Sequence, residues 1–198
     1  MGNHKNNLFY IGMTSINMDK RLKMEANIPL SDTQVKALCD GKVKIVTYPE
    51  LARCKSMKEL LAPYNSVIIL YISMGNVGHW CALNQVSDGK GKKKLLEFFD
   101  PYGSKPDDHL FPLPADFRKK NNMIRAHLCN LMYDSGFPLS YNEHGFQKLA
   151  ENIQTCGRWC ALRVMLKDLT LKQFDEIFNI SKYIGIPKDI IATSLTQI

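Results

Sequence analysis

The sequence predicts an α+β domain, with a small, mainly antiparallel sheet flanked by helices. Segments with helical spacing occur towards both ends of the chain, and three short strand-like segments follow one another in its middle. No Pro/Gly/Ser linker, internal repeat or low-complexity tract divides the chain. We therefore expect a single domain over residues 31–198, preceded by an arm or irregular lead-in over residues 1–30.

The first half of the domain contains both helix and strand signals. Ser31 with Gln34, and Ser56 with Glu59, form capping-box patterns that open two helices. The predicted strands are residues 42–48, 66–73, 79–86 and 94–100. A turn rich in glycine and lysine, SDGKGKKK, joins the last two strands, so we expect these two strands to pair as a hairpin.

The second half of the domain is predicted to be mainly helical. Residues 121–136 have helical spacing, and residues 137–149 return to strand-and-loop character. Two further helices are expected over residues 156–167 and 170–181. The predicted strands thus have helices on both sides of them in the chain, as expected for the α+β class.

The composition is that of an ordinary globular protein with an excess of positive charge. Hydrophobic residues make up 45% of the chain and charged residues 23%, and the formal net charge is +7. The positive excess favours polyanionic partners, so non-specific DNA binding is one hypothesis. We find no secretory signal and no apolar run long enough to cross a bilayer, and six cysteines in so long a chain need not form disulfides. We expect a reducing, intracellular setting and no membrane association.

The sequence lacks the common motifs for metal and nucleotide chemistry. The close cysteine pair, Cys156 and Cys160, does not have the C-x₂-C spacing of structural zinc sites, and the five histidines are scattered. There is no P-loop, no G-x-G-x-x-G and no G-x-S-x-G serine elbow. The sequence therefore predicts no metal and no cofactor.

A thiol nucleophile is the chemistry that the sequence supports best. Cys156 is predicted at the N-terminus of a helix, where partial positive charge and free N–H groups stabilise a thiolate and lower its pKa. Gly157 would let a substrate backbone approach closely, and the backbone N–H at this position can help to hold an oxyanion. The structural alternative is a buried core thiol, which is also the role expected for Cys160.

A nucleophilic cysteine needs a base, and the base needs a group that orients it. His79 begins a predicted strand after a glycine-bearing loop, and Asp100 closes the next strand before a turn. If the two strands pair as a hairpin, both side chains come from the same end of the sheet, where the carboxylate could hold the imidazole tautomer. The structural alternatives are an exposed strand-end histidine and an Asp-Pro turn former.

Four sequence elements resemble the superfamily of cysteine peptidases that includes the adenovirus protease and the SUMO proteases. These are, in chain order, GHW, FFDPYG, YN…FQ and TCGRWC. The resemblance extends over about residues 31–180, and it is strongest to the capsid-maturation proteases of virophages, Polinton-type elements and large DNA viruses. It implies an adenain-like cysteine protease fold with His79 as base, Asp100 as orienting carboxylate and Cys156 as nucleophile. It also implies that Trp80 lines a narrow channel for small substrate residues.

The same superfamily places a glutamine, which donates to the oxyanion, shortly before the cysteine. Gln147 lies nine residues before Cys156 and Gln154 lies two before it, and the usual spacing falls between these values. Gln147 follows an apolar residue after YN, as in the superfamily pattern. The resemblance therefore favours Gln147, with a short loop insertion, over Gln154.

These observations lead to one main hypothesis and two alternatives. The main hypothesis is a cysteine endopeptidase that cleaves viral capsid or core precursor proteins at small, Gly-containing sites during maturation, in the virion and the cytoplasm of the infected cell. The alternatives are a protease for ubiquitin- or SUMO-like tails and a non-enzymatic, basic nucleic-acid-binding domain. The expected partner is a polypeptide substrate, and we expect a monomer.

Overall fold

The structure, a computed structural model, describes residues 20–76, 78–87 and 94–198. The first 19 residues and the turn that carries Lys90, Lys92 and Lys93 lie outside the described residues, and so do the predictions made for them. Within the part of the expected irregular lead-in that is described, residues 20–26 form a helix, α1.

A five-stranded sheet forms the centre of the domain, with its strands in the order β1-β2-β3-β4-β5. The strands are β1 (Lys44–Thr47), β2 (Ser66–Ile72), β3 (Gly78–Ser87), β4 (Lys94–Phe99) and β5 (Leu139–Tyr141). The two central pairings, β2 with β3 and β3 with β4, are antiparallel, whereas the two outer pairings are parallel. The α+β class is confirmed. Antiparallel pairing predominates in the sheet, as expected, and the two parallel edge pairings make it mixed. These parallel pairings were not predicted, because apolar alternation indicates a strand but not its direction.

Helices pack on both faces of the sheet. After α1 they are α2 (Asp32–Leu38), α3 (Met57–Leu61), α4 (Ala115–Lys120), α5 (His127–Asp134), α6 (Cys156–Met165), α7 (Leu171–Phe178), α8 (Ser181–Ile184) and α9 (Lys188–Leu195). The capping box of Ser31 and Gln34 is present in full at the start of α2. At α3, Ser56 accepts the Glu59 N–H, but the Glu59 carboxylate takes the N–H of Lys55 instead of completing the box. Among the described residues, no helix has the length and apolar character needed to cross a membrane.

Two buried clusters lie on opposite faces of the sheet, and β3 contributes to both. Trp80 and Ala82 belong to the cluster that contains most of α6, whereas Cys81 and Leu83 belong to the cluster that contains residues of α3 and α5. This division follows from the alternation of side chains along a strand. Cys156 belongs to the same cluster as Trp80, so the helix that it begins packs on the Trp80 face of the sheet.

Candidate active site

The antiparallel pairing of β3 with β4 brings His79 and Asp100 together. The register places Ala82 opposite Phe99, so Asp100 directly follows β4 at the end of the sheet where β3 begins. His79 Nε2 lies 2.8 Å from Asp100 Oδ1, and the side-chain exposures are 13% and 0%. A hydrogen bond of this length between buried groups holds the imidazole in one orientation.

The DPYG turn and an asparagine hold Asp100 in place. The Tyr102 N–H donates to Asp100 Oδ1 and the Gly103 N–H to the Asp100 carbonyl, each at 2.8 Å. Asn142, from the YN element, donates to that carbonyl at 2.6 Å and accepts from the Asp100 N–H at 2.9 Å. Gly103 has a φ of +80°, and a Cβ there would lie 2.6 Å from the backbone of His144, so the turn requires glycine. Asp100 is therefore a turn former and the partner of a histidine at once.

A second histidine, to which the sequence analysis assigned no role, binds the other oxygen of Asp100. His109 Nε2 lies 2.6 Å from Asp100 Oδ2, and the two imidazole centroids are 4.4 Å apart. His79 also stacks on Tyr102, with ring centroids 4.6 Å apart and an interplanar angle of 16°. His109 belongs to the short 3-10 helix Asp108–Leu110, which no strand or helix period relates to Asp100. Only the tertiary structure could show its position.

Cys156 is the first residue of α6, and it is 5% exposed. It belongs to the same buried cluster as Trp80 of β3. One helical turn further on, the Cys160 thiol donates to the Trp80 carbonyl at 3.1 Å. The first turn of α6 therefore packs against β3 at Trp80, the residue that follows His79. Cys160 is fully buried, as expected of a core thiol.

Burial decides the direction of two of the three pKa shifts at the site. It raises the pKa of the Cys156 thiol, and the backbone N–H groups at the sulfur offset this only in part. The lowered pKa expected from the helix N-terminus is therefore wrong. Burial lowers the pKa of His79, although Asp100 opposes the change. For Asp100 burial is outweighed, and the hydrogen bonds from His109 and His79 hold its pKa well below the usual range.

Gln147 is the more buried of the two candidate oxyanion donors. It is 5% exposed, and its Nε2 donates to the Tyr102 hydroxyl at 3.0 Å and to the Ile153 carbonyl at 3.1 Å. Gln154 is half-buried, and its side-chain Nε2 lies 3.5 Å from the Glu151 carbonyl, a long contact. Through Tyr102, which stacks on His79, Gln147 is joined to the candidate site.

Trp80 and Gln154 both line a groove of about 960 Å³, a volume in the range of ligand sites. Other residues along it are Leu30, Ser31, Leu70 and Gly78. The Trp80 indole N–H donates to the Leu30 carbonyl at 3.2 Å. A Cβ on Gly157 would lie 3.1 Å from the Trp80 ring and 3.0 Å from Val35. The packing of Trp80 therefore favours glycine at position 157, a reason that the sequence did not reveal.

Among the described residues, one group of side chains could hold a metal ion. His79, Cys81, Asp100 and His109 each offer a donor atom, and these atoms all lie within 4.8 Å of one another. Imidazole, thiolate and carboxylate donors suit zinc. Sequence spacing did not predict this group because its members come from three separate segments. His79, Asp100 and His109 also form the hydrogen bonds around Asp100, so a metal bound there would replace these bonds.

The fold and the site define an α+β protein in which a cysteine, two histidines and an aspartate gather at one end of a mixed sheet. The chain belongs to the same family as a Sputnik virophage protein described as uncharacterized protein V9. The two are 34% identical over 178 residues, which cover 89% of this chain and 99% of that protein. No family model matches the sequence. A structure described as SUMO protease Ulp1, with its catalytic cysteine oxidized to a sulfenic acid, aligns with 88% of this chain and 80% of its own, at 13% identity and a TM-score of 0.38. That TM-score is too low to establish a shared fold.

Proposed function

We propose that this protein is a cysteine endopeptidase. The observation that supports this most directly is the hydrogen bond of His79 to Asp100 at the end of the hairpin against which α6 packs. His79 Nε2 lies 2.8 Å from Asp100 Oδ1, and Cys156, the first residue of α6, belongs to the same buried cluster as Trp80, the residue after His79. A nucleophile, a base and a group that orients the base are what covalent catalysis by a thiol requires.

In the proposed mechanism, the resting site holds a neutral thiol and a neutral imidazole, because burial raises the pKa of Cys156 and lowers that of His79. His79 Nδ1 accepts the thiol proton while the sulfur attacks the substrate carbonyl carbon. Asp100, bound to Nε2, stabilises the imidazolium. The imidazolium passes the proton to the leaving amine, and a thioester remains. His79 then takes a proton from water, and the resulting hydroxide attacks the thioester carbonyl. When the C–S bond breaks, the carboxylic acid product leaves and the Cys156 thiolate takes the proton back from His79.

The negative charge that develops on the substrate carbonyl oxygen requires preorganised donors. In this proposal the Cys156 N–H at the start of α6 is one donor and Gln147 Nε2 is the other. Gln147 Nε2 lies 3.0 Å from the Tyr102 hydroxyl in the resting state, and the oxyanion would replace that hydroxyl as acceptor. Gln154, at the edge of the groove, is the alternative donor.

The proposed substrates are capsid or core precursor proteins, cleaved at small, Gly-containing sites. The groove lined by Trp80 supports an extended polypeptide ligand near the proposed nucleophile, because Trp80 packs on Gly157, the residue after Cys156. The virophage relative supports a viral setting, so we propose action in the virion and in the cytoplasm of the infected cell.

The test is incubation of the purified protein with the capsid precursor of the same genome and, separately, with ubiquitin- and SUMO-like fusions. We expect cleavage of the precursor, with the sites mapped by mass spectrometry, and no cleavage by Cys156→Ser, which is nearly isosteric. Cys54→Ser, at a half-exposed thiol in the other buried cluster, is the matched control and should remain active. Cleavage of the fusions alone would favour the ubiquitin- or SUMO-directed alternative. Undiminished cleavage by a folded Cys156→Ser variant would refute the proposal.

Metal binding is a second candidate function, favoured by the four donor atoms within 4.8 Å. Zinc bound by His79, Asp100 and their neighbours would occupy the proposed base, so in a peptidase zinc should inhibit and a chelator should relieve the inhibition. The Cys156→Ser variant retains all four donors, and Co²⁺ absorption spectra of that variant report a thiolate ligand directly. Loss of peptidase activity on chelation, restored by zinc, would favour a metal-dependent site instead.

A further inference from the structure

A buried carboxylate on the last helix joins the segments that carry the proposed nucleophile and oxyanion donor. Asp189, in the first turn of α9, is 3% exposed. Its Oδ1 accepts from the Thr155 hydroxyl at 2.5 Å and from the Trp159 indole N–H at 2.9 Å. Its Oδ2 accepts from the Lys148 N–H at 3.0 Å. Thr155 and Lys148 are the immediate chain neighbours of the nucleophile and of the oxyanion donor.

The bond to Asp189 changes what Thr155 does at the start of its helix. Ser31, Ser56 and Thr170 hold the same N-cap position in α2, α3 and α7, with ψ of 164°, 159° and 157°, and each side chain accepts a first-turn backbone N–H. Thr155 has a ψ of 5°, and its hydroxyl makes no such cap. With this backbone conformation, and with its hydroxyl held at Asp189, the Thr155 side chain does not cap the first-turn N–H groups of α6.

Those N–H groups lie at the end of the helix that carries the proposed nucleophile, since Cys156 is the first residue of α6. Although burial raises the pKa of Cys156, the N–H groups of Cys156 and Gly157 lower it. A Thr155 hydroxyl that turned to cap this end of the helix would compete with the sulfur for these donors. Because Asp189 holds the Thr155 hydroxyl away from the helix end, the donors stay available to a thiolate.

We propose that Asp189 is a positioning residue of the peptidase site. It acts on Cys156 through Thr155. It acts on Gln147 through Lys148, since the bond to the Lys148 N–H holds the chain next to the oxyanion donor. The inference rests on the proposed function for its catalytic readout, but the reactivity of Cys156 is measurable without any substrate.

The test compares Asp189→Ala with the double variant Asp189→Ala/Thr155→Val. Without the carboxylate, nothing holds the Thr155 side chain at Asp189, and it can rotate to cap α6. Alkylation of Cys156 by iodoacetamide at fixed pH should then slow about tenfold, as for a rise of one pKa unit. Removal of the hydroxyl in the double variant should restore most of that rate, which a merely structural role of Asp189 would not do. On a cleavable peptide, kcat of the single variant should fall roughly ten- to a hundredfold with little change in KM.

Asp175→Ala is the matched control. Asp175 on α7 also binds the start of α9, through Lys188 at 2.8 Å, so this variant should keep near wild-type alkylation and kcat. If Asp189→Ala does not fold, the Asp189→Asn variant is used in its place. The amide oxygen can still accept from the Thr155 hydroxyl, but the amide NH₂ faces the Lys148 N–H, so that hydrogen bond is lost. For that variant we expect a lower kcat with near wild-type alkylation.

Two results would overturn the inference. One is equal alkylation rates in the single and the double variant, and the other is an unchanged kcat in folded Asp189→Asn. The two proposals can also fail separately. If the wild-type protein cleaves no substrate, but Asp189→Ala slows alkylation and the double variant restores it, the peptidase function is contradicted and the positioning of Cys156 by Asp189 remains supported.

Discussion

Arg163 on α6 forms a bidentate ion pair with Glu97 on β4, with N–O distances of 2.6 and 3.0 Å. The two side chains are 0% and 4% exposed. Arg163 also donates to the carbonyls of Leu166 and Leu169, beyond the end of α6. The ion pair thus links α6, which begins with the proposed nucleophile Cys156, to β4, which is followed by the proposed orienting carboxylate Asp100.

Removal of one partner of this pair should destabilise the fold strongly. We expect Glu97→Ala to lower the free energy of unfolding by about 3–5 kcal/mol, because Arg163 would remain buried and unpaired. The double variant Glu97→Leu/Arg163→Met replaces both charges by apolar groups and should cost much less. Urea denaturation followed by circular dichroism measures both. Arg21→Ala, which removes the exposed member of a surface pair with Glu25, is the control and should cost about 1 kcal/mol or less. Equal losses in the single and double variants would contradict the expectation.

His79→Ala should slow the alkylation of Cys156 most at neutral pH. Burial raises the pKa of Cys156, so near neutrality the thiol is protonated and needs a base. At alkaline pH, above that pKa, the thiolate forms without His79, and the rates of the wild type and the variant should converge. Iodoacetamide labelling over a pH series, with peptide mapping and Cys54 as internal reference, measures this. Curves that stay parallel at all pH values would exclude His79 as the base.

Replacement of Asp100 and of His109 should shift the acid limb of activity in opposite directions. His79 must be neutral to accept the thiol proton, and burial lowers its pKa below 6.5, so activity is present above this lowered pKa and is lost as the pH falls through it. Asp100 raises the pKa of His79, whereas His109, whose ring centroid lies 4.4 Å from that of His79, lowers it. Asp100→Asn should therefore move the limb to lower pH and leave only a fraction of the activity, and His109→Gln should move it to higher pH. The pH dependence of kcat/KM, measured for each variant, gives the position of the acid limb. A shift of the limb in the same direction in both variants would contradict the expectation.

Gln147→Ala should reduce turnover far more than Gln154→Ala. Loss of one oxyanion donor typically lowers kcat about 10²- to 10³-fold, and we expect a loss of this order with the fold intact. Gln154→Ala should cost much less, because its side chain is half-buried at the groove and makes only a long contact. Steady-state kinetics together with thermal melts measure both variants. Greater sensitivity at Gln154 would show that the loop insertion was assigned to the wrong place.

DNA binding, if it accompanies the formal charge of +7, should be weak and without sequence preference. Affinity should fall steeply with salt, because phosphate contacts release counterions. Simultaneous replacement of Lys90, Lys92, Lys93 and Lys94 by alanine should flatten this dependence if the turn takes part. The affinity at each salt concentration is measured by fluorescence anisotropy with a labelled duplex. The control variant replaces two lysines elsewhere, Lys119 and Lys120 on α4. A binding curve that does not change with salt would remove the hypothesis.

The parts of the site that sequence reasoning could place are those that depend on local periodicity. Alternating strands and a short connection bring His79 and Asp100 to the same end of a hairpin, whatever surrounds them. The onset of apolar periodicity similarly puts Cys156 at the start of a helix. His109 and Asn142, by contrast, reach Asp100 from irregular segments, and no spacing rule connects them to it.

By itself, the sequence determined the α+β class, the hairpin and the helix that begins with a cysteine, because each depends on interactions between residues close in the chain. Only the tertiary structure decided the strand directions at the sheet edges, the second histidine on Asp100 and the contacts of Asp189. It also reversed the pKa shift expected for Cys156. The helix N-terminus lowers the pKa of a thiol, but the packing that delivers this helix to Trp80 also buries the sulfur, and desolvation outweighs the backbone dipoles. Burial is a property of the whole fold, and no local pattern in the chain encodes it.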